Sequence, residues 1–341
     1  MLTLSASRVA VTGGAGFIGS HLVDQLVAAG NEVTVLDDLS SGSRENLSQH
    51  SGRVELIEGS VLDAAALERA LRDARHVFHL ATRNVRLSLR QPSVVHEVNI
   101  EGTYRVLKAA VATKAARLLY CSSSEVYGSA VGVPMAEEYA FRPETIYGAS
   151  KLAGEYYAQV FHRSGWLETV VARPFNTYGP REHYAADRGE VIPRFILRAL
   201  GGLPPVIYGD GSQTRDFTYV EDTARCLSAL MAAESVGGEV INICRGEEVS
   251  VREIAAQVAS LVGSKLAPVH LAPRPSDVLR LYGDASKLRR LVGAAPATAI
   301  GDGLARTVDW FRHNVRVTDA VLASMQLENW VGTPAEPWLN R

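Results

Sequence analysis

The sequence predicts a doubly wound parallel α/β sheet followed by a smaller mixed α/β domain, and three observations carry that prediction. Val9 to Val11 form a short apolar run, Thr12 closes it, and Gly14-Ala15-Gly16-Phe17-Ile18-Gly19 follows as G-x-G-x-x-G. A helical pattern starts at once, Phe17 to Ala29, with Ile18, Leu22, Leu26 and Ala29 on one face and Gly30 as its stop. Asp37 then ends the next apolar run, Val33 to Leu36, about 20 residues past the glycines. Strand, glycine turn, helix and strand-end acid in this order describe the phosphate-binding unit of a Rossmann-type sheet.

Each part of that unit has a chemical reason. Lacking side chains, Gly13, Gly16 and Gly19 let a pyrophosphate approach the backbone, and Phe17 and Ile18 open a helix whose N-terminal amides favour negative charge. A carboxylate at Asp37 accepts hydrogen bonds from ribose hydroxyls and repels a 2′-phosphate, so NAD is expected over NADP. Asp38 sits beside it and joins the candidate cofactor set.

Strand-like and helix-like runs alternate through the first half. Val54 to Glu58 reads as the third strand, and a helix runs from Asp63 to Leu71. Asp63 is placed either to touch the adenine or to cap that helix. His76 to Leu80 is the fourth strand, with Leu80 and Ala81 entering a loop beside the cofactor. Pro92 opens a helix to about Thr113, and Leu118 to Cys121 is the fifth strand. Ser122 to Gly128 then lies at the carboxyl end of that strand, where open parallel sheets place ligands. A helix from Thr145 to Ser164 and a strand from Thr169 to Ala172 follow.

After Arg173 prolines and glycines punctuate shorter elements. Helices are expected over Ile192 to Leu200, Glu221 to Ala233, Ser250 to Leu261 and Gly301 to Arg312, with strands over Val206 to Tyr208 and Val240 to Ile243. The division expected is 1–175 for the nucleotide domain and 176–341 for a substrate domain, with the chain crossing back between them. The tail after Asn314, with Trp330, Pro334, Pro337 and Trp338, carries no motif.

Composition narrows the function. A net charge of −2 gives no reason to expect nucleic acid or an anionic membrane as partner. The three cysteines, Cys121, Cys226 and Cys244, have no metal-ligand spacing, so no metal is expected. Their sparse, odd number suits a reducing compartment, and no leader or membrane span is read, so the expected location is cytoplasmic.

Tyr147-Gly148-Ala149-Ser150-Lys151 carries the chemistry. At i and i+4 the two side chains share one helix face, and an ammonium beside a phenol favours the phenolate. Such a phenolate takes a proton from a substrate hydroxyl while hydride leaves the same carbon for nicotinamide.

The blocks TGGAGFIGS, VLDDLSSG, HLA, VNIEGTYRVL, SSSEVYG, YGASK, RPFNTYG and GDGSQTRDFTYVED, in that order, resemble the extended short-chain dehydrogenase/reductases of the nucleotide-sugar epimerase and dehydratase group. The resemblance implies a bound NAD, a nucleoside diphosphate sugar as substrate, and a homodimer paired through the Pro92–Thr113 and Thr145–Ser164 helices. It implies that Ser123 bonds the reacting sugar hydroxyl and that Asn99 orders the site. It also places Ser124, Asn176, Arg215 and Arg280 at the substrate, the arginines on its phosphates, and Val191 to Phe195 along its base.

Ser124-Glu125 departs from the Asp-Glu of thymidine-diphosphate-sugar dehydratases, and is similar to guanosine-diphosphate-mannose dehydratases and uridine-diphosphate-glucuronate decarboxylases. Arg83 and Arg86 make the loop after the fourth strand unusually basic, and either face solvent or meet an acidic sugar substituent. The expected activity is 4-epimerisation of a uridine-diphosphate hexose or hexuronate through a 4-keto sugar. Alternatives are 4,6-dehydration with Glu125 as the C5 base, a decarboxylase-like reaction, and a non-catalytic NAD sensor.

Overall fold

The structure is a computed structural model and describes residues 2–130, 132–185, 189–273 and 279–325. Seven strands form the main sheet: β1 (Arg8–Thr12), β2 (Glu32–Asp37), β3 (Val54–Glu58), β4 (His76–His79), β5 (Arg117–Cys121), β6 (Glu168–Pro174) and β7 (Val240–Ile243). All pairings are parallel, in the order β3-β2-β1-β4-β5-β6-β7. The order reverses between β1 and β4, which places the glycine turn at the switch point where such sheets bind ligands.

Burial explains the sequence of the central strands. Val9, Ala10 and Val11 are all buried, as a strand covered on both faces requires. One face packs Leu22 and Leu26 with Leu227 and Leu230. The other packs Leu67, Leu71, Val106 and Leu107. The first helix, Phe17–Ala28, ends as expected, with Gly30 in the left-handed region at φ +81°. Asp63 caps the Ala64–Leu71 helix, accepting from the Ala65 and Ala66 amides. The helix expected from Pro92 runs as Pro92–His96, a π turn at Glu97–Glu101 and Gly102–Ala112, and that wider turn holds Asn99 in the buried interior.

The C-terminal half contributes to the first layer as well as forming its own. Strand β7 extends the sheet beside β6, and helix Val220–Ala232 packs on Phe17–Ala28. Three further helices, Val191–Leu200, Val251–Val262 and Ile300–Asn314, enclose a second core containing Phe195, Ile254, Leu304 and Phe311. A small sheet beside it holds Thr214–Arg215 between Val249–Ser250 and Arg280–Leu281. Trp330, Pro334, Pro337 and Trp338 of the tail lie outside the described residues.

Candidate active site

A cleft of about 770 Å³ runs from the glycine turn to the C-terminal core. That volume suits a ligand of cofactor or drug size. Its wall includes Gly13, Gly16, Phe17, Ile18 and Gly19. The backbone there lies bare to a phosphate because Gly13 and Gly19 have no room for side chains. Gly13 has φ +73°, and a Cβ there would lie 2.6 Å from the Ala81 nitrogen, while one on Gly19 would collide with the Gly13 carbonyl.

Asp37 fastens the turn to the end of β2. Its carboxylate accepts from Ala15 N at 2.9 Å and from Leu39 N at 2.9 Å, and burial pushes its pKa up. Each oxygen keeps a further lone pair for a ribose hydroxyl. Leu36, Asp38, Leu80 and Ala81 complete this end, so the residues present fit a dinucleotide.

At the middle of the cleft the ends of β5 and of helix Ile146–Arg163 converge. Thr145 caps that helix through Gly148 N, and its first turns bring Tyr147 and Lys151 to the wall beside Ser123. The Ser123 hydroxyl hydrogen-bonds Tyr147 and also caps the following turn through Glu125 N at 3.2 Å. Burial and the nearby Cys121, Glu125 and Glu190 outweigh the Ser123 bond and hold the Tyr147 phenol above its ordinary range. The lowered phenol pKa expected from the Tyr–Lys spacing is therefore not a property of the protein alone. Burial pushes Lys151 down to about 8, opposed by Cys121 and Glu155, and its ammonium lies 4.7 Å from the centre of the Tyr120 ring.

Asn99 stands behind this wall. Its side chain accepts from Arg83 N at 2.8 Å and donates to Arg83 O and to Ser150 Oγ. Ser150 in turn donates to Tyr147 O at 2.7 Å. Asn99 thus orders the loop and helix Ile146–Arg163, and it is not itself part of the cleft lining.

At the far end, Ser124, Glu125, Asn176 and Arg215 all line the cleft. Asn176 Oδ1 is buried with no hydrogen-bond partner among the described residues, an acceptor left for a ligand. Burial raises the Glu125 pKa and Arg215 opposes it, with Glu190 and Glu144 raising and Arg86 lowering it further. Val191, Arg194 and Phe195 of the VIPRF segment stand in the same wall.

Three expectations are corrected. Arg280 does not reach the cleft. It is exposed, pairs with Glu248 and stacks near Tyr282. In the small sheet Arg280 is in register with Thr214 and Leu281 with Arg215, so the pleat turns Arg280 to the face opposite Arg215. Asp63 lies outside the cleft lining, its carboxylate committed to the helix N-terminus. Arg83 and Arg86 neither face solvent freely nor present bare charge to a sugar. Arg83 forks onto Asp38 at 2.7 and 3.3 Å, and Arg86 forks onto Glu190 at 2.5 and 2.9 Å.

The structure also adds residues that the sequence reading passed over. Glu182 is buried in the cleft wall, and burial with Glu190 nearby holds its carboxyl well above the usual carboxylate range. Arg173 forks onto Glu155 at 2.6 and 2.8 Å and donates to the Tyr127 hydroxyl at 2.7 Å, while Glu155 accepts from Ser122 at 2.5 Å. This fully buried network fixes the Ser122–Tyr127 loop. An arginine inside the apolar run VVARP was its sequence signal.

Residues 9–244 match the model of the NAD dependent epimerase/dehydratase family. The chain belongs to that family. A UDP-glucose 4-epimerase of Mycolicibacterium smegmatis is 36% identical, with 90% of this chain and 99% of that one covered. A UDP-N-acetyl-alpha-D-glucosaminuronate decarboxylase of Bacillus cytotoxicus is 34% identical over 89% of this chain and 98% of that one. A dTDP-glucose 4,6-dehydratase of Streptomyces venezuelae, solved with NAD, superimposes with a TM-score of 0.85 at 34% identity, covering 92% and 99% of the two chains. The family member described here is thus an NAD-dependent enzyme of nucleotide-sugar chemistry, with a Rossmann-type sheet, and these relatives span three different outcomes.

Proposed function

We propose that this chain is a nucleotide-sugar 4-epimerase acting through a transient 4-keto sugar on a uridine-diphosphate hexose or hexuronate. The observation that carries the reading is the setting of Glu125. Burial, Glu190 and Glu144 push its pKa up against Arg215 and Arg86, so its environment accounts for a raised carboxyl here without requiring a C5 proton transfer. Without that requirement, the Tyr147–Ser123–Lys151 group is sufficient for oxidation and reduction at C4.

In this mechanism Ser123 bonds the sugar 4-hydroxyl and Tyr147 takes its proton. Lys151 supplies positive charge beneath the helix turn that carries Tyr147. NAD, when bound, supplies the hydride acceptor and donor at C4. Arg215 pairs with the diphosphate and Asn176 accepts a hydrogen bond from the ligand. The 4-keto sugar turns within the cleft, and Tyr147 returns the proton to the C4 oxygen as that carbon is reduced again, so net charge and mass are conserved. The buried free cysteines fit a reducing, cytoplasmic setting.

A second reading keeps Glu125 at the reacting atoms. It lines the cleft, acts on Tyr147 and holds its proton more tightly than an exposed carboxyl, as a C5 acid/base in a dehydratase would. Turnover of a nucleotide-sugar panel in D2O separates the readings. Epimerisation gives product of unchanged mass with no deuterium on carbon. Deuterium at C5 with loss of water establishes dehydration instead, and loss of carbon dioxide establishes decarboxylation.

A further inference from the structure

The loop after β4 sends a guanidinium back across the sheet. The switch-point order places β1 between β2 and β4. The ladder continues to the strand ends, with Gly13 N bonded to Leu36 O at 2.8 Å and Leu80 N to Thr12 O at 2.9 Å. At ordinary strand spacing, the ends of β2 and β4 are therefore about 10 Å apart with the glycine turn between them. Arg83, three residues beyond Leu80, spans that interval. Its Nη2 donates to Asp38 Oδ2 at 2.7 Å, Nη1 donates to Asp38 Oδ1 at 3.3 Å, and Nη1 also bonds Ser40 Oγ.

The crossing is built at both ends. Asn99 bonds both the amide and the carbonyl of Arg83, so the root of the side chain is fixed. Asp38 is held by its own turn, accepting from Ser40 N at 3.1 Å. The two side chains are only 19% and 28% exposed, which is low for an ion pair at the mouth of a cleft and makes screening incomplete. Asp38, Ser40 and Arg83 line the same cleft as Gly13, Gly16 and Gly19. A dinucleotide held by that turn puts its pyrophosphate at the N-terminus of Phe17–Ala28, beneath the span.

We infer that Arg83 is a cofactor-retaining residue, whose ion pair with Asp38 straps the dinucleotide groove and makes NAD a slowly exchanging group. Release of the nucleotide then requires the Arg83–Asp38 pair to part. Retention of this kind fits a reaction that regenerates its own cofactor, but it depends only on NAD binding and stands apart from the choice between epimerase and dehydratase. It also gives this arginine a task that neither solvent exposure nor an acidic sugar supplies.

The test is exchange of bound nucleotide in the NAD-loaded protein. Excess NAD carrying deuterium on the nicotinamide ring is added, and the mass of the nucleotide that stays with the protein is followed with time. Arg83→Met keeps the stem and removes the charge, and is expected to exchange about tenfold faster or more, the scale of one charge-assisted hydrogen bond. Asp38→Asn is expected to match it, and the double variant to be no faster than the faster single. Raising salt should speed exchange in the unsubstituted protein and leave Arg83→Met unchanged. Exchange by Arg83→Met at the unsubstituted rate overturns the proposal. So does a double variant whose acceleration is the product of the singles, since that describes two independent contacts. Should Arg83→Met fail to fold, Asp38→Asn and the salt series decide the matter by the same criteria.

Discussion

Thr12 Oγ1 donates to His79 Nδ1 at 2.7 Å, and the direction of this bond follows from its neighbours. Thr103 Oγ1 donates to Asn99 O at 2.6 Å, so towards His79 Nε2, at 2.9 Å, it accepts. The imidazole is therefore the neutral Nε2–H form, and Thr12 also accepts from Ala81 N at 3.3 Å. A buried chain thus links the loop after β4 to Asn99, and through Ser150 to the backbone of Tyr147.

Burial, with Lys151 adding, pushes the His79 pKa down to about 3 from an ordinary 6.5. Between those values the unfolded chain binds a proton at this residue and the folded chain does not. Stability from this site is complete above about pH 6.5 and is lost as the pH falls towards 3, by up to about 1.4 kcal/mol per pH unit. Histidine NMR should show one imidazole untitrated down to about pH 4 with its proton on Nε2. A His79 resonance with a midpoint near 6.5 would contradict this.

Tyr147→Phe should lower kcat by about 10²–10⁴-fold while leaving NAD binding and the unfolding midpoint close to the parent. Rapid turnover by that variant would remove Tyr147 from the reaction. In the proposed mechanism the ammonium of Lys151 is the working form, and it is lost as the pH rises through about 8. The kcat profile should therefore fall on that alkaline side, and a flat profile up to about pH 10 would show that the charge is not needed.

Arg215 and Arg280 lie on opposite faces of one small sheet, and their alanine variants should behave differently. Arg215→Ala removes a cleft cation and should weaken nucleotide-sugar binding by about 2 kcal/mol or more, a roughly 30-fold rise in Kd. Arg280→Ala removes an exposed charge paired with Glu248 and should leave Kd at the parent value. Calorimetry with a uridine diphosphate sugar reads both, and a large loss in Arg280→Ala would mean that the sheet face is assigned wrongly.

Glu125→Gln keeps the shape of the side chain and removes its acid/base capacity. For an epimerase the rate should fall only modestly, within about tenfold, because no proton passes through this residue. A loss comparable to that of Tyr147→Phe would favour the dehydratase reading, and the D2O product would decide between a chemical and an electrostatic cause.

The outer faces of Gly102–Ala112 and Ile146–Arg163 expose Tyr104, Val111, Tyr156, Tyr157 and Val160, with the Tyr104 and Tyr157 rings 5.7 Å apart. Five large side chains on two adjoining helices are what a helix-paired homodimer would cover. Light scattering should give twice 36.8 kDa, and Tyr157→Asp should shift the mass towards that of one chain. A monomer of the unsubstituted protein at micromolar concentration would refute the pairing.

Much of this protein is determined by short stretches of its sequence. The glycine turn with Asp37 and the Tyr147–Lys151 spacing are readable because strand and helix periods set them within a few residues or one βαβ step. Most elements of the main sheet are readable for the same reason. The partners that decide the rest are distant along the chain. Asp38 is 45 residues from Arg83, and Glu190 is 104 residues from Arg86. His79 meets Thr12 across 67 residues, and β7 joins the sheet from the far half of the chain. Arg280 shows the limit most directly: its motif gives the residue type, but a cross-strand register with Thr214 decides which way it points. Local sequence fixes which groups are available and how a helix or strand spaces them. Which charges meet, which are buried and which line the cleft depends on packing between elements, because desolvation and ion pairing act between neighbours in space, whatever their separation along the chain.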